Sequence, residues 1–246
     1  MKAAVERARE QVAELLGAAS PVRSFSPRAV QSQTTGPSAD FSSRTLRGVT
    51  SLPRASNMKR CVTSANISAQ IGCEVTWLEV NENGELNLDD LRQALRRDTG
   101  IVSVMMANNE TGVLFPIKEI GKIVRENSDA VFHVDGVQAV GKVPIYLREL
   151  EVDLFALSGH KLHAPQGVGA LYIREGVKLP PFIIGGAQER GRRARHALRS
   201  RILSGSGAAC ELASSLRRAR TYRVSAQQTG RRDIEADSER ATKWDR

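Results

Sequence analysis

A mostly parallel α/β sheet covered by helices is the fold that this sequence predicts, and two observations predict it. Between Cys73 and Ile173, apolar runs too short for helices alternate with stretches of helical period. Several of those runs are apolar throughout rather than alternating, which is the pattern of strands buried on both faces.

The elements follow in chain order. Val5, Ala8, Val12, Leu15 and Leu16 form one face of an N-terminal amphipathic helix, and Gly17 can end it. Residues 18–70 show no period of 2 or 3.6; within them, Val22 to Gln70 carry seven basic residues against one acid, and fifteen of forty-nine are Ser or Thr. CEVTWLEV, from Cys73, reads as a strand, with Cys73 as a small buried residue rather than a reactive one. Leu88 to Leu95 reads as a short helix with Asn87 as N-cap and Asp89 and Asp90 in its first turn, where carboxylates favour the helix dipole. Ile101 to Ala107 is the next strand and delivers Asn108, Asn109 and Glu110 at its carboxyl end. Gly112 and Pro116 punctuate the loop before the helix IKEIGKIVREN, whose Ile117, Ile120, Ile123 and Val124 form a core-facing stripe. Ala130 to Val134 is a strand interrupted only by His133 and followed by Asp135. Asp153 to Leu157 is another, breaking into Ser158, Gly159, His160 and Lys161. Gly159 is the expected point of sharp turning that lets Lys161 leave the sheet. Val168 to Ile173 is a third apolar run after a turn at Gly167, and the three runs are expected to converge on one edge.

An acid, a glutamine and a lysine at the ends of successive strands lie where an open α/β sheet holds its ligands. Taken singly, an aspartate after a strand is a turn or cap residue and Ser-Gly-His-Lys a solvated loop. Taken together, they fit pyridoxal phosphate, which needs a lysine for a Schiff base and an acid to keep its ring nitrogen protonated. Asp153, the other acid of this strand region, reads as a residue without a cofactor role.

With VSVMMANNETGVLFPI upstream and IIGGAQERGRRA downstream, the stretch from Val131 to Ile173 resembles the fold type I pyridoxal-phosphate cysteine desulfurases of the nitrogen-fixation (NifS-like) type, within the class V aminotransferases. The resemblance runs from about Cys73 to Ala194. It implies Lys161 of SGHK as the Schiff-base lysine and Asp135 of HVDGVQ as partner of the pyridinium nitrogen. It further implies Gln138 and Asn109 against the ring or its hydroxyl, and Ser158 and His160 on the phosphate. The implied reaction is removal of sulfur from L-cysteine, giving L-alanine and an enzyme persulfide for iron–sulfur cluster assembly. The implied partners are a second copy of the chain and an iron–sulfur scaffold protein. Selenocysteine lyase shares the lysine, aspartate and asparagine and remains the alternative within the fold.

This reading divides the chain into a helix (1–17), a divergent segment (18–70), a cofactor-binding large-domain core (71–194) and a divergent basic tail (195–246), with the family's C-terminal domain missing. Where the family has a Ser-Gly-Gly-Thr turn this sequence has PVRSFSPRAVQSQTTGPSAD, and TSANISAQ lacks the family's ring-stacking histidine. Arg195 and His196 replace the Gly and Thr that follow GGAQERGRRA. None of Cys61, Cys73 and Cys210 maps to the sulfur-accepting cysteine, so impaired or absent turnover is expected. The flanks read either as disordered Arg- and Ser-rich segments or as out-of-frame translation around an intact centre, and the abrupt end of the resemblance favours the second.

Charge and cysteine usage narrow the remaining classes. The formal net charge is +9, and it belongs to the flanks, since residues 1–189 balance at twenty-one charges of each sign. A basic nucleic-acid-binding protein is the rival that this charge suggests, but two Trp, three Tyr and six Phe with no recognition motif argue against it. Three cysteines without a CxxC pair predict no metal cluster and a reducing cytoplasm. MKAAVERAREQ has no apolar core of a secretory signal, and no run approaches eighteen apolar residues, so no membrane partner is expected. A non-catalytic remnant of the same ancestry is the last alternative.

Overall fold

The computed structural model describes residues 2–18, 24–26, 49–53, 69, 72–164 and 169–177. Seven strands form one sheet in the order β1-β7-β6-β5-β4-β2-β3. They are β1 (Ser24–Ser26), β2 (Val49–Pro53), β3 (Val75–Leu78), β4 (Ile101–Met105), β5 (Val131–Asp135), β6 (Leu154–Ser158) and β7 (Gly169–Ile173). The helices are α1 (Lys2–Leu15), α2 (Leu88–Ala94) and α3 (Ile117–Asn127), with single 3₁₀ turns at Leu147–Glu149 and Gly159–Leu162. β3, β2, β4, β5 and β6 run parallel, while β7 lies antiparallel to β6 and to β1. The fold is therefore the mostly parallel α/β sheet that the apolar runs predict.

Strand alternation sorts the core into two layers. Val102, Val104, Phe132, Val134, Phe155, Leu157, Ala170 and Tyr172 share one buried cluster with Ala8, Val12 and Leu16 of α1, Leu91 of α2, and Ile117, Ile120, Ile123 and Val124 of α3. The intervening residues Ile101, Leu154, Ala156, Leu171 and Ile173 are buried on the other face. Both faces being covered, no polar alternation remains along β4, β6 and β7, and these strands read as continuous apolar runs.

Local chemistry sets the boundaries. Asn87 caps α2 by accepting from the Asp89 amide at 2.9 Å. α1 gives way to a turn at Gly17, whose φ of +55° suits glycine; the amides of Leu16, Gly17 and Ala18 take up the helix's carbonyls at Val12, Glu14 and Ala13, and the turn's own carbonyls face the segment before β6. Leu147 donates to the Leu16 carbonyl at 2.9 Å and Arg148 to that of Gly17 at 3.2 Å. Cys73 is buried at the entry to β3, packed with Ile101.

One expectation needs correction and another gains a direction. Residues 18–70, read as an irregular segment, contribute β1 at one margin of the sheet and β2 inside it. Ser-Phe-Ser and Val-Thr-Ser-Leu-Pro are too short and too polar to stand out from their surroundings, and neighbouring strands supply their pairing. The runs leading to Asp135, Leu157 and Ile173 were expected to converge on one edge, and the third does so by its amino end. Because β7 is antiparallel, its first residue, Gly169, pairs with Ser158, and its carboxyl end lies at the opposite edge. Gly167 and the basic tail from 195 lie outside the described residues. No described helix is long and apolar enough to cross a membrane.

Candidate functional site

β4, β5 and β6 are parallel neighbours in register, with Met105 beside Asp135 and Asp135 beside Ala156. Their carboxyl ends therefore share one edge of the sheet, and every sequence-predicted site residue lies on that edge or in the turn leaving it. This arrangement follows from parallel pairing: successive strand ends accumulate on one side, and the chain must exit there.

The turn after β4 presents Asn109. Met106 extends the pairing by donating to the Asp135 carbonyl at 2.9 Å. The side chain of Asn108 then folds back, its Oδ1 accepting from the amides of Glu110 at 2.8 Å and Thr111 at 3.1 Å. Gly112, at φ +76°, closes the turn. Asn108 is thus committed to holding the loop, and Asn109 is exposed.

β5 ends in Asp135, a buried carboxylate at 2 % exposure. Its Oδ1 accepts from the Val137 amide at 2.9 Å, and the Gly136 amide donates to the Ala156 carbonyl at 2.9 Å. The acid is thereby held at the point where β5 gives way to the turn carrying Gln138. Gln138 is half-buried, and its Oε1 accepts from Lys142 Nζ at 3.2 Å, one helical turn further on. Lys142 was not foreseen; the four-residue spacing inside QAVGK was the available signal.

β6 ends in Ser158, whose Oγ lies 2.6 Å from His160 Nδ1. Ser158 is buried, while His160 and Lys161 are exposed on the 3₁₀ turn that follows. Gly159 was expected to make the sharp bend. The left-handed residue is instead His163, at φ +59°, because the 3₁₀ turn itself keeps Gly159 in ordinary backbone space and reversal waits for its C-cap. His163 and Ala164 both donate to the Gly159 carbonyl, which fixes the turn that carries Lys161.

Behind this edge lies a pair that the sequence did not single out. His133 Nδ1 sits 2.8 Å from Ser103 Oγ, and the two residues are register partners on β5 and β4. The signal was one polar residue at matching positions of two apolar runs. His133 is fully buried, and burial pushes its pKa down to about 4 from the ordinary 6.5. The folded state thus keeps His133 neutral while the unfolded chain protonates below its ordinary pKa. The sign follows: stability is complete above about pH 6.5, falls as pH is lowered, and stops falling below about pH 4. Between pH 7 and pH 5 this group is expected to cost about 2 kcal/mol. Urea unfolding at the two pH values checks this, since His133→Gln should lose less stability than the parent by that amount. An equal loss in both proteins would remove His133 from the explanation.

Asp153, read as an acid without a cofactor role, is the centre of an ion-pair cluster at the opposite edge, just before β6. Its Oδ2 meets Arg125 Nη2 at 2.5 Å and accepts from the Phe132 amide at 2.8 Å, while Oδ1 lies 3.6 Å from Arg174 Nε. Glu151 joins Arg174 at 3.2 Å. The cluster ties the end of α3, the start of β6 and the end of β7 together. Among the described residues no group of three or more His, Cys, Asp or Glu could hold a metal ion. Cys73 is the one cysteine among the described residues, and Cys61 and Cys210 lie outside them.

The arrangement offers a buried carboxylate, a hydroxyl–imidazole pair, an amide and a primary amine along one sheet edge. Such a set can bind a ligand that carries a protonated ring nitrogen, an anionic group and an electrophilic carbon.

Comparison with known proteins agrees with this chemistry. The aminotransferase class-V family model matches residues 53–215, beyond the quoted motifs on both sides. A cysteine desulfurase of Nostoc sp. is 45% identical over 194 residues, covering 78% of this chain and 47% of that protein. The solved structure of a NifS-like protein superposes with a TM-score of 0.81 at 32% identity, covering 93% of this chain and 65% of the other. That of SspA in complex with cysteine gives a TM-score of 0.79 at 29% identity, over 85% and 60% of the two chains. The chain spans about half the length of the curated relatives that it matches.

Proposed function

The chain belongs to the class-V aminotransferase family, and from that premise we propose that it carries the pyridoxal-phosphate site of a cysteine desulfurase. The family is pyridoxal-phosphate dependent. The observation that carries the proposal is the placement of Asp135 and Ser158 at the carboxyl ends of adjacent parallel strands, with Lys161 on the turn that leaves the second.

The donor set fits the cofactor. Bound there, pyridoxal phosphate would supply an electron sink for negative charge developing at the substrate α-carbon. The Asp135 carboxylate would hold the proton on the ring nitrogen, and its burial strengthens that contact by excluding water. Ser158 and His160 would bind the phosphate, and Gln138 and Asn109 the ring hydroxyl or the ring's flank. Lys161 would hold the cofactor covalently through its amine, and the same amine is the group that would carry the proton to and from the substrate α-carbon. L-cysteine as substrate is supported by the relatives named cysteine desulfurase and by the neighbour solved with cysteine. The same proposal takes L-alanine as product, a second copy of the chain and an iron–sulfur scaffold protein as partners, and the cytoplasm as location. It also carries reduced turnover for this chain, a reading that rests on Cys61, Cys73 and Cys210 having no match to the sulfur-accepting cysteine.

The test is spectroscopic. Pyridoxal phosphate added to the full chain is expected to give a new band in the visible region, and Lys161→Ala is expected to remove it entirely. A band that persists in the variant, or none in the parent, overturns the reading.

A further inference from the structure

We infer that Lys142 is a positioning residue for the candidate cofactor site, acting through Gln138; this rests on the proposed function. Lys142 Nζ lies 3.2 Å from Gln138 Oε1. An ammonium group has three donors and no acceptor, so of the two ends of the Gln138 amide only the carbonyl can face it. Turning the amide over would set donors against donors and forfeit a charge-assisted hydrogen bond. The orientation of Gln138 is therefore fixed by its neighbour: the carbonyl oxygen is engaged, and the NH₂ group is the end left to meet a ligand.

That choice has a chemical meaning at this edge. A glutamine offering its carbonyl would select a ligand hydroxyl that keeps its proton, whereas one offering its NH₂ group selects an oxygen bearing negative charge. The lysine charge acts in the same direction, since a cation one residue removed favours an ionised oxygen at the site. The backbone supports the pairing. Val137 donates to Asp135 Oδ1, and Ala139 and Val140 donate to the Gly136 carbonyl at 2.9 and 3.0 Å. Lys142 and Val143 donate in turn to the carbonyl of Ala139 at 3.0 Å each. Residues 136–143 thus wind as consecutive turns, which brings side chains four apart onto one side. Lys142 is itself exposed, so its removal leaves no buried group without a partner.

The experiment uses the full chain and four proteins: the parent, Lys142→Met, Gln138→Ala and the double variant. Dissociation constants for pyridoxal phosphate and the pH midpoint of the visible band are measured for each. Lys142→Met is expected to weaken cofactor binding by about three- to tenfold, the range of a charge-assisted hydrogen bond that water partly screens. It should also raise the pH midpoint of the band, with the urea unfolding midpoint unchanged. Lys142→Arg, which keeps a donor, should restore most of the affinity. The double variant should bind no more weakly than Gln138→Ala, because a residue acting only through Gln138 has nothing left to act on. Losses that multiply in the double variant would show that Lys142 touches the ligand itself and would overturn the inference. So would an unchanged affinity in Lys142→Met, which leaves the proposed function standing; failure of the parent to bind overturns both.

Discussion

Gly136→Ala is expected to destabilise the chain by about 3 kcal/mol or more, at or above the upper end of what an added methyl costs in a well-packed core. A Cβ at this position would stand 1.9 Å from Cζ of Phe155 and 2.3 Å from its Cε1. Carbon atoms in contact prefer about 3.5–4.0 Å. The ring cannot swing aside, because Phe155 is fully buried against the layer carrying α1, α2 and α3. Nor can the backbone, whose Gly136 amide is bonded to Ala156 on the neighbouring strand. Shortening the obstacle should repair the damage, so Gly136→Ala with Phe155→Leu should recover part of the lost stability. Denaturant midpoints of the two variants and the parent decide the matter. A parent-like midpoint for Gly136→Ala alone would mean that the ring has room to move.

Asp153→Ala and Asp135→Ala are expected to fail in different ways, although both remove a buried acid beside a strand. Losing Asp153 strips Arg125 and Arg174 of a shared partner and leaves the Phe132 amide without its acceptor. A cost of about 2–3 kcal/mol is expected, below that of a fully enclosed pair because each arginine keeps part of its surface in water. That loss should appear in urea unfolding without any cofactor present. Losing Asp135 should show chiefly as weaker retention of pyridoxal phosphate, with a smaller change in the unfolding midpoint. Equal effects of the two substitutions in both assays would reduce Asp135 to a structural acid.

The contrast between these acids shows where sequence legibility ends. Apolar runs marked β4 to β7, and their periodicity marked α1 and α3, because burial leaves its imprint on composition. Direction leaves none: Gly169 to Ile173 reads the same whether the strand runs with β6 or against it. Asp135 and Asp153 each adjoin an apolar run, and only the sense of that run separates the edge of the candidate site from one closed by arginines. β1 and β2 were hidden for another reason, since Ser-Phe-Ser and Val-Thr-Ser-Leu-Pro, three and five residues long and mostly Ser, Thr and Pro, are held by their neighbours rather than by their own propensity. The six candidate site residues were legible as a set because successive parallel strands must deliver their ends to one place. Lys142 was not, because its contribution lies in which way an amide faces.

The antiparallel seventh strand also dictates an order of assembly. Ser24 of β1 pairs with Leu171 of β7, so β1 has its partner only after nearly all of the intervening described chain has been made. The turn that follows α1 is likewise completed late, since the amides that donate to the carbonyls of Leu16 and Gly17 belong to Leu147 and Arg148. The parallel centre, β4 to β6, joins segments much closer in sequence and can condense first. Closure of the β1 margin, joining residues far apart along the chain, is then the slow, entropically demanding step. Until it occurs, the outer edge of β7 is an unpaired strand edge open to other copies of the chain, at a margin of the sheet distinct from the edge that carries the candidate site.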